Sequence, residues 1–150
     1  MTTLRYGLLT EPERPLLNKF YKDQGSSMRA AAQGQLWVAR VEQIVAALCL
    51  TPVPGGYWLT GLWVAERWRG QQIARRLIKT AVKSTEGMTW LFCHPDLVPF
   101  YQRQGFSPCS ELPAALAERL ARYQRSKSLM AMALAQSSPA GSSPGNNTSV

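Results

Sequence analysis

The stretch that most constrains this chain is residues 61–78, together with the strand that leads into it. Residues 57–64, Tyr-Trp-Leu-Thr-Gly-Leu-Trp-Val, form an apolar run with the aromatic and branched residues of a strand. A charged, glycine-containing break follows at residues 66–72, and an amphipathic helix is predicted from about Ile73 to Ser84. Strand, tight turn and helix in this order make an anion site. The first N–H groups of a helix have no intrahelical partner, and its dipole adds partial positive charge at that end. Arg67, Arg69, Arg75 and Arg76 reinforce the same end. A phosphate or pyrophosphate is the ligand that suits such a turn.

The flanking sequence alternates between the two periodicities. Residues 4–10 read as a short strand. A helix is expected over residues 11–21, with Leu16, Leu17 and Phe20 at helical spacing, acidic residues in the first turn and Pro12 near the start. Residues 28–33 could extend that helical region, up to Gly34. Residues 36–41 and 44–51 read as a hairpin turning at Glu42-Gln43. Pro52, Pro54, Gly55 and Gly56 make the next turn, leading into the 57–64 strand. Beyond the central helix, residues 89–93 are a short apolar strand ended by His94-Pro95. A helix over 96–104 stops at Gly105, a strand begins at Phe106, a helix covers 113–125 and a last strand 128–134. From Gln136 to Val150 the chain is nearly all Ser, Pro, Gly, Asn and Thr; it lacks the apolar surface to order itself and is expected to be a disordered tail.

Composition narrows the class of partner. The chain has 150 residues, enough for one domain with a real core. Seventeen Lys and Arg against nine Asp and Glu give +8, which favours an anionic partner: a nucleotide cofactor, nucleic acid or an acidic surface. Cys49, Cys93 and Cys109 sit in apolar surroundings without metal-ligand spacing and read as buried thiols of a reducing compartment. No run approaches a membrane span and the first residues lack the pattern of an export signal, so a cytoplasmic protein is the expectation.

The layout is not a dinucleotide-binding unit, because the turn lacks the G-x-G-x-x-G spacing and its strand follows a hairpin. It resembles the GNAT superfamily of acyl-CoA-dependent N-acyltransferases. Residues 64–77 are similar to the family's pyrophosphate motif, and Phe100-Tyr101-Gln102-Arg103-Gln104-Gly105-Phe106 to its later Tyr–Gly–Phe signature. With the layout, the resemblance covers most of residues 4–134. It implies an α/β (α+β) domain with a mixed, mostly antiparallel twisted sheet of about seven strands flanked by helices. Arg69 aligns with the motif's leading Arg or Gln and Ala74 with its final Gly or Ala; Gln72 stands where the family usually has its middle glycine.

The resemblance further implies an acetyl-CoA (or other short acyl-CoA) site over Arg69, Gly70, Gln71, Gln72, Ile73, Ala74 and Arg75. The backbone of Leu62, Trp63 and Val64 would pair with the pantetheine arm, with Gly61 as a bulge. Tyr101 would lend a proton to the departing thiolate. The other reading of Phe100-Tyr101 is an aromatic pair packing helix onto sheet. His94, the only histidine, has two readings as well, a cofactor contact or base on the incoming amine and the cap of a strand end. No carboxylate lies in residues 57–64. The expected activity is transfer of an acetyl group from acetyl-CoA to a primary amine of a small molecule or protein, by direct attack and without a metal. Neither nucleic acid nor membrane is an expected partner, and a homodimer is left open. The alternative is a non-catalytic acyl-CoA-binding regulator that docks on a protein through its aromatic and basic surface.

Overall fold

A computed structural model describes residues 3–136. The tail expected from Gln136 lies, apart from Gln136 itself, outside the described residues. The fold is α+β. Its strands are β1 (Arg5–Leu8), β2 (Gln35–Arg40), β3 (Ile44–Val53), β4 (Gly56–Val64), β5 (Gly87–Cys93), β6 (Ser107–Pro108) and β7 (Met130–Gln136). The helices are α1 (Arg14–Asp23), α2 (Ile73–Lys83), α3 (Val98–Arg103) and α4 (Ala114–Tyr123). The strands form one sheet in the order β1-β2-β3-β4-β5-β7-β6. The described residues form two compact units: one holds residues 3–52 together with Trp58–Ala81, the other Val53–Tyr57 and residues 82–136.

In the first unit β1, β2 and β3 pair antiparallel, with Tyr6 opposite Ala39 and Val38 opposite Ala47. The apolar runs of β2 and β3 show no alternation because both faces are covered: Leu36, Trp37, Val38 and Ala39 are all buried, as are residues 45–50. One face packs on α1 through Leu17, Phe20 and Tyr21, joined there by Val38, Ala47, Cys49 and Ala65. Helix α2 buries Ile73, Leu77, Ile78, Ala81 and Val82, one stripe at helical spacing, and leaves Arg75, Arg76, Lys79 and Lys83 in solvent.

The start of α1 differs from expectation. A 3₁₀ turn (Glu11–Glu13) precedes it, and Glu13 Oε1 accepts from the Thr10 N–H at 3.3 Å and the Thr10 hydroxyl at 2.9 Å. Both bonds run from Thr10 to Glu13 and satisfy polar groups at the helix entry, and the α-helix begins only at Arg14. Residues 28–33 are not helical. Asn18 Oδ1 accepts the Ala30 N–H at 2.8 Å and Ser26 Oγ the Met28 N–H at 3.1 Å, so side chains supply the acceptors that a helix would have provided.

In the second unit β5 pairs with β7 from Gly87 opposite Gln136 to Cys93 opposite Met130, and the two-residue β6 adds to the far side of β7. Pairing extends β5 two residues before its expected start at Thr89 and β7 two residues past its expected end at Leu134.

Candidate active site

The turn after β4 is built by short local bonds. Ala65 N–H donates to Val45 O at 2.8 Å, and a 3₁₀ turn (Glu66–Trp68) closes with Trp68 N–H on Ala65 O at 2.8 Å and Arg69 N–H on Glu66 O at 3.2 Å. The backbone then takes left-handed values twice, at Gly70 (φ 81°) and Gln72 (φ 63°). Gln72 is the single non-glycine residue with positive φ among the described residues. At the position where the resembled family carries glycine, this chain thus keeps the glycine conformation with a side chain attached. Gln72 Oε1 accepts from Arg75 Nη1 at 3.2 Å, which draws the amide group along the exposed helix surface.

Helix α2 starts directly from this backbone. Arg76 N–H donates to Gln72 O at 3.1 Å as the first helical bond, so the amides of Ile73, Ala74 and Arg75 have no intrahelical acceptor. Left-handed residues alternating with ordinary ones turn successive N–H groups toward one side, and such a concavity suits phosphate oxygens. Exposed Arg75 and Arg76 on the first turn add full charges to the helix dipole. Arg69 has a second task. Its Nε donates to Val64 O at 2.8 Å and its guanidinium lies 5.1 Å from the Trp63 ring centroid, so it ties the turn back to the end of β4. Its terminal nitrogens make no hydrogen bond among the described residues.

Strand β4 runs through a left-handed residue at Gly61, where φ is 65°. Tyr21 of α1, fully buried, donates its hydroxyl to Gly61 O at 2.6 Å, and a Cβ at Gly61 would lie 2.6 Å from the Tyr21 hydroxyl oxygen. Only glycine fits both the backbone and the space. Two residues on, Trp63 Nε1 donates to Gln24 Oε1 at 3.3 Å. Gly61 and Trp63 are therefore held by Tyr21 of α1 and by Gln24 at its C-terminal cap, two residues that sequence reasoning did not single out. Tyr21 falls on the apolar stripe with Leu17, where nothing local separates a hydrogen-bonding tyrosine from a packing one. Trp68, in the turn after β4, is half-buried and packs on the α1-side core with Trp63.

In the second unit Tyr101 sits in α3 with 8% of its surface exposed. The end of that helix explains the spacing of the Tyr–Gly–Phe segment. Gly105 N–H donates to Gln102 O at 3.0 Å and Phe106 N–H to Tyr101 O at 3.1 Å, the paired bonds of a Schellman stop. Gly105 supplies the left-handed residue (φ 100°), and Phe106 meets Tyr101 edge-on at 5.9 Å, the apolar contact that accompanies such a stop. Phe100 flanks the phenol on another side at 4.9 Å. Burial, and then the neighbouring Cys93, push the Tyr101 pKa up to about 12. The phenol is thus neutral across the physiological range, an acid and not a base, and its hydroxyl has no hydrogen-bond partner among the described residues.

His94 is exposed, and its Nδ1 accepts the Asp96 N–H at 3.1 Å at the head of a 3₁₀ turn (Pro95–Leu97). It caps the end of β5, and a neutral ring bonded this way carries its hydrogen on Nε2. Among the described residues no cluster of three or more His, Cys, Asp or Glu side chains could hold a metal ion, and no helix is long and apolar enough to cross a membrane.

A family model described as an acetyltransferase (GNAT) domain matches residues 32–108, just over half of the chain. Among solved structures, an acyl-CoA N-acyltransferase from Pseudomonas aeruginosa superposes with a TM-score of 0.64 at 18% identity, over 89% of this chain and 100% of that one. An acetyltransferase of the GNAT family from Staphylococcus aureus Mu50 gives 0.63 at 13% identity, over 88% and 98% of the two chains. Arabidopsis thaliana Naa50, in complex with the bisubstrate analogue CoA-Ac-MVNAL, gives 0.61 at 12% identity, over 87% and 97%. Identities this low speak for the fold alone. No curated protein matches the chain by sequence.

Proposed function

This chain belongs to the GNAT acetyltransferase family, and from that premise we propose that it transfers an acetyl group from acetyl-CoA to a primary amine. The observation that carries the reading is the turn between β4 and α2, where left-handed Gly70 and Gln72 lead into three amides without helical partners. That cradle suits the pyrophosphate of CoA. Arg75 and Arg76 supply charge to it, and Arg69 both shapes the turn and offers its terminal nitrogens.

The chemistry is one displacement. The neutral amine attacks the thioester carbonyl carbon, a C–N bond forms as the C–S bond breaks, the thiolate takes a proton, and the nitrogen, cationic after attack, releases one to water. Backbone N–H of the Leu62–Val64 segment, after the left-handed residue at Gly61, is assigned to the carbonyl oxygen, where a rigid donor lowers the barrier without reorganising. Tyr101 is assigned to the thiolate. A phenol at about 12 is a weak acid toward a free thiol near 8.5, a gap of roughly 5 kcal/mol at 1.36 kcal/mol per unit. Desolvation that raises the phenol also raises a buried thiolate, which narrows the gap as the C–S bond breaks. His94, with Nδ1 engaged in its cap, is assigned to cofactor contact through Nε2.

That engagement of Nδ1 favours one rival, an acyl-CoA-binding regulator without turnover. Calorimetric titration with acetyl-CoA, followed by an amine panel with Tyr101→Phe, separates the two. Micromolar binding that weakens about tenfold in Arg69→Ala supports the cradle, given typical charge-assisted contacts. Amide formation that falls in Tyr101→Phe with binding intact supports the enzyme. Absence of acetyl-CoA binding at millimolar ligand would overturn acyl transfer altogether.

A further inference from the structure

Within the first unit, a depression of about 1050 Å³ is walled by α1, the β2–β3 turn and the segment following β4. Its apolar wall is Phe20, Trp68 and Leu16, the last 48% exposed, a large aliphatic side chain facing open space. Its charges sort unevenly. Lys19 is bonded to Asp23 at 2.6 Å, and Arg40 to Glu13 at 3.1 Å. Glu42, Glu66 and Arg67 are exposed and make no ion pair among the described residues. The uncommitted charge of the depression is therefore negative, in a chain whose net charge is +8. Glu42 and Glu66 thus offer two unpaired carboxylates against the one unpaired guanidinium of Arg67, a local excess of one negative charge that suits an ammonium.

Position links the depression to the assigned chemistry. Gln24, in its wall, is the acceptor for Trp63 Nε1, and Ala65, also in its wall, follows Val64 directly. It thus adjoins the end of the β4 segment assigned to the thioester.

We infer that this depression holds the acceptor, and that the acceptor is a primary amine with an aromatic or branched apolar body and no carboxylate. The body lies against Phe20 and Trp68, and the ammonium faces Glu42 and Glu66. The inference rests on the acyl-transfer reading above and gives it a substrate class.

The test uses the full chain, with 2-phenylethylamine as probe and 3-phenylpropanoate as its anionic counterpart, read by tryptophan fluorescence because Trp68 lines the wall. Saturable binding of the amine and none of the acid is expected. Glu42→Gln and Glu66→Gln, both at exposed positions, should each weaken the amine by about tenfold, as loss of a charge-assisted contact does. The KM for the amine in acetyl transfer should rise by the same factor, with acetyl-CoA binding unchanged. Equal affinity in the variants, preference for the acid, or no saturable amine binding would overturn the inference. If acetyl-CoA still binds in that case, the acyl-transfer reading stands without this acceptor site; if acetyl-CoA fails to bind while the amine is held, it is the acyl-transfer reading that falls.

Discussion

Replacing Gln72 by glycine should stabilise this protein, against the usual direction of substitutions to glycine. Gln72 sits at φ 63°, where an L-residue's Cβ crowds its own backbone at a cost of about 1–2 kcal/mol. Glycine removes that cost but loses roughly 0.5–1 kcal/mol through the greater freedom of its unfolded chain. The exposed bond from Arg75 to Gln72 Oε1, at 3.2 Å, contributes little to offset this. The net expectation is a gain of about 0.5–1 kcal/mol, or a rise of about 1–4 °C in Tm for a chain of this size. Gln72→Ala keeps the Cβ and the strain, so it should show no gain, and the Gly–Ala difference isolates the backbone conformation from loss of the amide. Thermal and urea unfolding of the three proteins measure the effect without any ligand. Titration with acetyl-CoA adds a second readout, in which Gln72→Gly should bind at least as tightly because its amides already point as the cradle requires. A glycine variant no more stable than the alanine variant would refute both the left-handed assignment and the account of why this position is glycine in the family the chain resembles.

Tyr21→Phe removes one hydroxyl and leaves Gly61 O without that donor in a buried site, so unfolding experiments should show a loss of about 1–3 kcal/mol; an unchanged midpoint would mean the 2.6 Å bond contributes nothing. Gly105→Ala places a Cβ 3.3 Å from Leu134 Cδ1 at φ 100°, and the strained helix stop should lower stability by about 1–2 kcal/mol, with acetyl transfer falling because Tyr101 shifts with it. Tyr101 also predicts an alkaline limit. Its pKa rises from 10 unfolded to about 12 folded, so its contribution is fully present below pH 10 and is lost as pH climbs through 12, amounting to roughly 3 kcal/mol at 1.36 kcal/mol per unit. Stability profiles over that window should be flatter for Tyr101→Phe than for the parent protein, and parallel curves would contradict the shift.

Much of the architecture was legible because its signals are local. The apolar run over residues 57–64, the break at 66–72 and the stripe beginning at Ile73 correspond to β4, the turn and α2 within a residue. The Tyr101–Gly105–Phe106 spacing could be matched to a family from sequence, yet its reason, a helix stop whose two bonds and ring contact place the phenol, appears only with coordinates. Element ends slipped where long-range pairing or a side-chain acceptor outweighed local preference, as at β5, β7 and the Thr10–Glu13 entry to α1.

The candidate site divides along the same line. Residue order alone determined that a strand should lead through a basic turn into a helix N-terminus, because periodicity, glycine and charge act over a few neighbouring residues. It could not show that Gln72 adopts a glycine conformation, that Arg69 turns back on Val64 and Trp63, or that His94 spends Nδ1 on its own cap, since each depends on torsions and side-chain directions that residue identity leaves open. Nor could it bring Tyr21 to Gly61, 40 positions away, or Gln24 to Trp63. Those contacts exist because α1 packs against the end of β4, where Trp63 and Ala65 join Leu17, Phe20 and Tyr21, and only that packing turns an unremarked helical tyrosine into the donor that holds the left-handed residue of the strand.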